Sequence, residues 1–385
     1  MINYENSSTI VEKFQLGRIE TVEKVMPEDV GIELDKYPNS IFSVEVVDPY
    51  VENYSPEEFK AVKDIEQEAN NYAEARRLSG YWERRPRTVY VNLDNTQQNK
   101  KGWGDPISRD IFFDITINSV ALNAWRSKIP SSQALVDISD PLSIQYITDK
   151  RGSQVPIDEE ARKWLSLCTD AIAIRSRATI MAELVSEYVN NNKQPNYRWL
   201  SVACGTALPA MQGAMRANIK PELYLADFDV KALENTEKLA KEIGFDGKIK
   251  RPSRDLNGKD TINIFNIDDM SKLKDYLINN GGQPSLIDLM GIFEYTGDNL
   301  GVNSSKFLKS CYDILRPGGR LIFGQMRDDR NVPDFVTGVV GWPYVEMRSI
   351  NQFMTVIKEA GILPDQTNLY LPKDGVYMVG VITKS

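Results

Sequence analysis

The 385-residue chain contains no histidine. This excludes a Ser-His-Asp triad, an H-E-x-x-H zinc site and any imidazole base, and leaves proton transfer to Asp, Glu, Tyr, Lys or Cys. Cysteine is scarce: Cys168, Cys204 and Cys311 stand far apart and no C-x-x-C pair occurs. Neither a zinc knuckle nor a disulfide framework is suggested, and a reducing cytoplasm is the simplest compartment. Long apolar runs are missing, so no membrane span is expected. The N-terminal MINYENSSTIVEKF has no basic start followed by an apolar stretch, so no secretory signal is expected either. Positive charge is in deficit, with 46 Lys and Arg against 54 Asp and Glu, a net charge of −8 and a pI near 5.0. That balance weighs against a nucleic-acid partner, which requires a basic face. The cluster Arg84-Arg85-Pro86-Arg87 reads as a solvated charge run. There is no internal repeat and no low-complexity tract.

What is present describes a globular enzyme-sized chain, 42% hydrophobic and 26% charged, large enough for more than one folding unit. Residues 1–155 read as a mixed α+β region, a cap or an acceptor-binding or oligomerisation part. Within it, Ser55-Pro56-Glu57-Glu58 is a helix start with a serine cap and a glutamate placed to close a capping box, and the helix runs to Leu78. Residues 88–93 alternate like a strand and residues 95–105 read as a loop. From residue 156 the pattern sharpens. Residues 158–190 are helical, with Ala171, Ile174, Ala178, Met181 and Val185 forming a stripe. Strands are expected at 198–203, 222–226, 261–267, 285–290 and 320–325, the first four followed by helices at 208–217, 230–243, 270–279 and 304–315. Short apolar strands alternating with helices give an α/β fold with a parallel sheet covered on both faces. A helix at 350–359 is followed by strands at 367–371 and 376–383. Only Pro372-Lys373-Asp374-Gly375 join them, so they must be antiparallel neighbours. The expected whole is a seven-stranded, mostly parallel, doubly wound sheet with a C-terminal antiparallel hairpin.

Chemistry gathers at the carboxyl ends of these strands, where α/β sheets bind ligands. The first strand ends in Ser201-Val202-Ala203-Cys204-Gly205-Thr206-Ala207. Gly205 is the residue free to act as a left-handed hinge; Ala203 and Ala207 are small but resist positive φ. Asp227, 22 residues beyond Gly205 (227 − 205), ends the second strand, where an acid is placed to grip a ribose diol. Asp229 reads as the cap of the next helix.

These residues resemble the class I S-adenosylmethionine-dependent methyltransferases. SVACGTA looks like that family's first motif, with alanines where glycines are frequent, and Asp227–Leu233 has the form D-x-D-x-x-A-L of its second. The reversed terminal hairpin is its plan. The stretch GIFEYTGDN at 291–299, followed by LRPGGRL at 315–321, is similar to a group of bacterial members. The resemblance covers residues 158–385 and implies a Rossmann-like methyltransferase fold with S-adenosyl-L-methionine as cofactor. It further implies that Ala203, Cys204, Gly205 and Thr206 lie under the methionine part, with Asp227 and the adjoining Phe228 at the ribose. Asp268, or alternatively Asp269, would contact the adenine amino group unless it only caps a helix. Met290 and Gly291 would flank the transferred methyl. An arginine of the helix before the first strand, Arg175 in Ile174-Arg175-Ser176-Arg177, would reach the cofactor carboxylate.

The function so implied is methyl transfer to a small-molecule acceptor, at oxygen, carbon or a carboxyl. A sulfonium donor is already activated, so aligning the reactants supplies much of the rate, roughly 7–11 kcal/mol, and no histidine is needed. Glu294 or Tyr295 is the base candidate for a hydroxyl or carbon acceptor, and Arg327, Arg330 or Arg348 is placed to orient an anionic one. No N/D-P-P-Y/F follows the fourth strand, which lowers base and glutamine nitrogens as acceptors. The acceptor walls are expected from the loop at 326–348 and the N-terminal third, with Trp103, Trp342 and Tyr344 as lining candidates. Two other readings stay open: a nicotinamide-dependent oxidoreductase on a related sheet, and a non-catalytic binding protein that keeps the fold. A homo-oligomer is also open.

Overall fold

A computed structural model describes residues 16–79, 146–148, 154–156, 167–227, 230–257, 262–297, 301–335 and 345–385. The strand and loop expected at 88–105, the basic cluster at 84–87, and Trp103, Phe228, Asp229, Trp342 and Tyr344 lie outside these residues.

Nine strands form one sheet. In chain order the strands of the protein are β1 (Arg18–Val25), β2 (Ser40–Val47), β3 (Tyr146–Thr148), β4 (Gln154–Pro156), β5 (Arg198–Val202), β6 (Glu222–Ala226), β7 (Lys248–Lys250), β8 (Leu286–Leu289), β9 (Arg320–Met326), β10 (Thr367–Pro372) and β11 (Tyr377–Thr383). The helices are α1 (Pro56–Leu78), α2 (Thr169–Asn191), α3 (Leu208–Arg216), α4 (Val230–Ile243), α5 (Pro252–Asn257), α6 (Ile267–Asn279), α7 (Ser304–Ile314) and α8 (Ile350–Glu359). The large sheet runs β1-β2-β10-β11-β9-β8-β5-β6-β7, and β3 pairs with β4 apart from it. Strands β7, β6, β5, β8 and β9 are parallel. β11 runs against both β9 and β10. Seven of these strands, β7-β6-β5-β8-β9-β11-β10, make the expected mostly parallel, Rossmann-like sheet with its reversed C-terminal hairpin. Two strands from the N-terminal part extend it: β2 pairs parallel with β10, and β1 pairs antiparallel with β2.

The strands place alternate side chains on opposite faces, and each face has its own core. Leu200, Val202, Ile287, Leu289, Leu321 and Phe323 pack under α6, α7 and α8. Trp199, Leu223, Leu225 and Ile322 pack under α2, α3 and α4. Helix α1 begins as its sequence predicts, with Ser55 Oγ accepting from Glu58 N and Glu58 returning a bond to Ser55 N.

One expectation fails. Residues 262–266 form no strand; the third parallel strand is the three-residue β7, on the sheet edge. Ile262 and Ile264 are buried two residues apart and so imitate strand alternation. Asn263 breaks the pattern by turning the chain, its side chain accepting from Phe265 N and its carbonyl from Asn266 N. The true strand is charged at both ends and too short to produce a periodic signal, as edge strands often are.

Candidate functional site

The sheet reverses its winding between β5 and β8, the switch point at which α/β folds hold ligands. The bend after β5 takes an unusual path. Ala203, Gly205 and Ala207 all have positive φ, at 52°, 51° and 54°. The expectation that Gly205 alone would be left-handed is therefore corrected. Both alanines are held in that region by bonds around them: Ala203 N donates to Ala226 O at 2.8 Å and Ala207 N to Cys204 O at 2.7 Å. A left-handed alanine costs on the order of 1–2 kcal/mol, strain of the kind that collects at ligand sites.

Asp227 is nearly buried, and its Oδ2 accepts from Gly205 N at 2.7 Å. The acid at the tip of β6 thus faces the bend after β5. Beside Gly205 there is room, since a Cβ built there meets no atom within 4 Å. A buried carboxylate beside an open bend is placed as an acid that grips a ribose diol is. Cys204 and Thr206 stand half-buried in the same bend. Burial and the nearby Asp227 and Asp288 push the Cys204 thiol well above its usual pKa, so it is no thiolate nucleophile.

Asp268 and Asp269 lie in the first turn of α6, and neither is its cap. Asn266 caps the helix, its Oδ1 accepting from Asp268 N at 2.8 Å and Asp269 N at 3.1 Å. Asp268 is exposed and Asp269 pairs with Lys272 at 3.4 Å. The preceding segment does pass the cleft, because Ile262 N donates to Asp227 O.

Asp288 escaped the sequence reading, although an acid inside the apolar run LIDL was its signal. It is buried in β8 and accepts from Trp199 Nε1 at 2.7 Å and Ser201 Oγ at 3.0 Å, tying β8 to β5 beneath the bend. Burial pushes its carboxyl up to about 7.

Past β8, Met290 is buried and Gly291 half-buried, and Glu294 and Tyr295 share the short helical turn Phe293–Tyr295. Tyr295 packs against the core. Glu294 is 3% exposed. Its Oε1 accepts from Met326 N at 3.0 Å, while its Oε2 has no hydrogen-bond partner among the described residues. Burial raises its pKa, and the charges of Arg177 and Arg348 partly counter that.

The arginines sort themselves by partner. Arg175 is drawn to Asp48, with Nε and a terminal nitrogen each 2.8 Å from Oδ2, and stacks on Tyr50. Arg327 pairs with Asp329. Arg330 forms a fully buried bidentate pair with Asp170 at 2.7 and 2.8 Å. Arg348 is spent on Phe293 O, Thr296 O, Gln325 Oε1 and Ser304 Oγ. The arginine that reaches the strand ends is Arg177, whose guanidinium lies beside Gly291 and 4.4 Å from the Tyr377 ring centre.

No family model matches the chain, and no curated protein matches it. Solved structures resemble it. An O-methyltransferase family protein from Burkholderia thailandensis is 17% identical with a TM-score of 0.37, over 59% of this chain and 60% of that one. Magnesium protoporphyrin IX methyltransferase from Synechocystis PCC 6803, with bound SAH, is 12% identical with a TM-score of 0.41, over 72% of this chain and 99% of that one. Human N-acetylserotonin methyltransferase in complex with SAM is 12% identical with a TM-score of 0.35, over 59% of each chain. The matched region thus spans about three fifths of the length of the Burkholderia and human proteins. Among the described residues, no helix is long and apolar enough to cross a membrane.

Proposed function

We propose that the chain transfers a methyl group from S-adenosyl-L-methionine to a small-molecule acceptor. The observation that carries this reading is the Asp227 carboxylate held 2.7 Å from Gly205 N, at a bend with open room beside it. The cofactor supplies an activated methyl on a sulfonium. Asp227 would hold the ribose hydroxyls, Gly205 and its small neighbours would admit the methionine part, and Asp268 or Asp269 would face the adenine. The site's own task is then alignment and exclusion of water. With an alcohol as acceptor, Oε2 of Glu294 would accept the proton, the burial that raises its pKa making it a stronger base than a free carboxylate.

Calorimetry with S-adenosylhomocysteine tests the reading. Asp227→Asn keeps an acceptor for Gly205 N but removes the charge, and is expected to weaken binding by about 10- to 100-fold, the worth of a hydrogen bond to a charged group. Unchanged affinity, or a wild-type protein that binds NADH and not S-adenosylhomocysteine, would sink it. If Glu294 is the base, Glu294→Gln slows turnover by about 10²–10⁴ while leaving S-adenosylhomocysteine affinity within twofold.

A further inference from the structure

Arg177 is unlike the other arginines of this face. It projects from α2, half-buried, and makes no hydrogen bond and no ion pair within 4 Å among the described residues. One glycine clears its path: a Cβ on Gly291 would stand 3.1 Å from a terminal nitrogen. Gly291 does not have positive φ, so the open backbone there serves space and not conformation. One face of the guanidinium is covered by Tyr377. That ring belongs to a small apolar cluster with Ala173, Met326 and Val376. A half-buried guanidinium whose face is stacked and whose donors are unspent among the described residues is prepared for a planar anion, which it binds through two parallel hydrogen bonds.

Position decides which anion. Arg177 spans the ends of β8, β9 and β11, whereas the bend and Asp227 lie at β5 and β6, across the switch point. Neighbouring strands are about 4.8 Å apart, so the two sites are separated by roughly the length of a small molecule. Resting on the methyl-donor reading for the identity of the β5–β6 side, we propose that Arg177 seats a carboxylate of the acceptor, which makes the acceptor class small carboxylic acids. Among the described residues no ion pair within 4 Å joins Glu294 to Arg177, although the arginine's charge helps to lower the Glu294 pKa.

Formate, the smallest carboxylate, is the probe, with formamide as its neutral counterpart and sodium chloride holding ionic strength constant. The full chain is labelled so that its arginine Nε–H groups are seen by NMR, and the Arg177 signal is identified by its loss in Arg177→Gln. Formate is expected to move that signal saturably, formamide and chloride are not, and the shift is expected to persist with S-adenosylhomocysteine bound. Arg177→Gln should weaken formate binding, followed on other site signals, by about 10- to 100-fold. Arg177→Lys, which keeps the charge and guards against misfolding of the first variant, should lose less. The proposal is overturned if formate leaves the Arg177 signal unmoved. It is overturned equally if S-adenosylhomocysteine displaces formate and Arg177→Gln loses S-adenosylhomocysteine, for then the arginine holds the cofactor's own carboxylate. A wild-type chain that binds formate but no S-adenosylhomocysteine defeats the methyl-donor reading and the acceptor assignment with it, while the carboxylate site itself stands.

Discussion

Asp288 shows how much one buried carboxyl can do in a sheet. It accepts from Trp199 and Ser201 and so locks β8 to β5 directly below the bend that follows β5. Its burial holds the folded pKa at about 7, above the value near 3.9 of an unfolded chain. The unfolded chain therefore gives up this proton first as pH rises. Its contribution is fully favourable below about pH 4 and declines as pH climbs to about 7, with an upper bound on the loss of about 4 kcal/mol. Asp288→Asn removes the titration, so urea unfolding of the variant should show a flatter stability profile between pH 4 and 7 than the wild type. A profile of unchanged slope would mean that other groups carry the pH dependence.

At the scale of elements, charge is used to join secondary structure. The bidentate pair of Asp170, in the first turn of α2, and Arg330, after β9, has both side chains fully shielded from water. The neighbouring α1 is fastened to the same region: Arg77 pairs with Asp334, Glu66 accepts from Thr169 N, and Asn70 Oδ1 accepts from Asp334 N and Phe335 N. These contacts bring α1, α2 and the segment after β9 together on the side where Arg177 sits. Arg330→Met leaves the Asp170 charge buried and unpaired, which costs about 3–5 kcal/mol. Thermal unfolding of that variant should show the loss, and a double variant that also replaces Asp170 by Leu should recover part of it.

Across the whole molecule, the N-terminal strands are part of the main sheet. Ile41 is 1% exposed and belongs to the same core as the strand ends around the site, although it lies in β2. Removing such a side chain costs about 2–5 kcal/mol. Ile41→Ala is expected to lower the urea midpoint of the entire sheet in one transition, seen equally by tryptophan fluorescence, to which Trp199 in β5 contributes, and by circular dichroism. Two separate transitions would show that the β1–β2 pair unfolds as a unit of its own.

Apart from the third strand, expected at 261–267 but formed by β7, and the unexpected α5, the order of strands and helices from 198 to 383 was legible because most elements carry their own period and punctuation: apolar strands, capped helices, and a four-residue link that admits only a hairpin. The pairing of Gly205 with Asp227 was legible for a related reason, since one strand-helix unit sets the spacing between successive strand ends. Three things were decided only in three dimensions. The left-handed alanines follow from hydrogen bonds that outweigh a local preference. The joining of β2 to β10 links residues more than 320 positions apart and leaves no local trace. That Arg175 is spent on a carboxylate while Arg177 lies beside Gly291 and Tyr377 depends on which side chain finds Asp48. Local pattern determines which elements form, while the partner of a long side chain is set by whatever the folded chain brings within its reach.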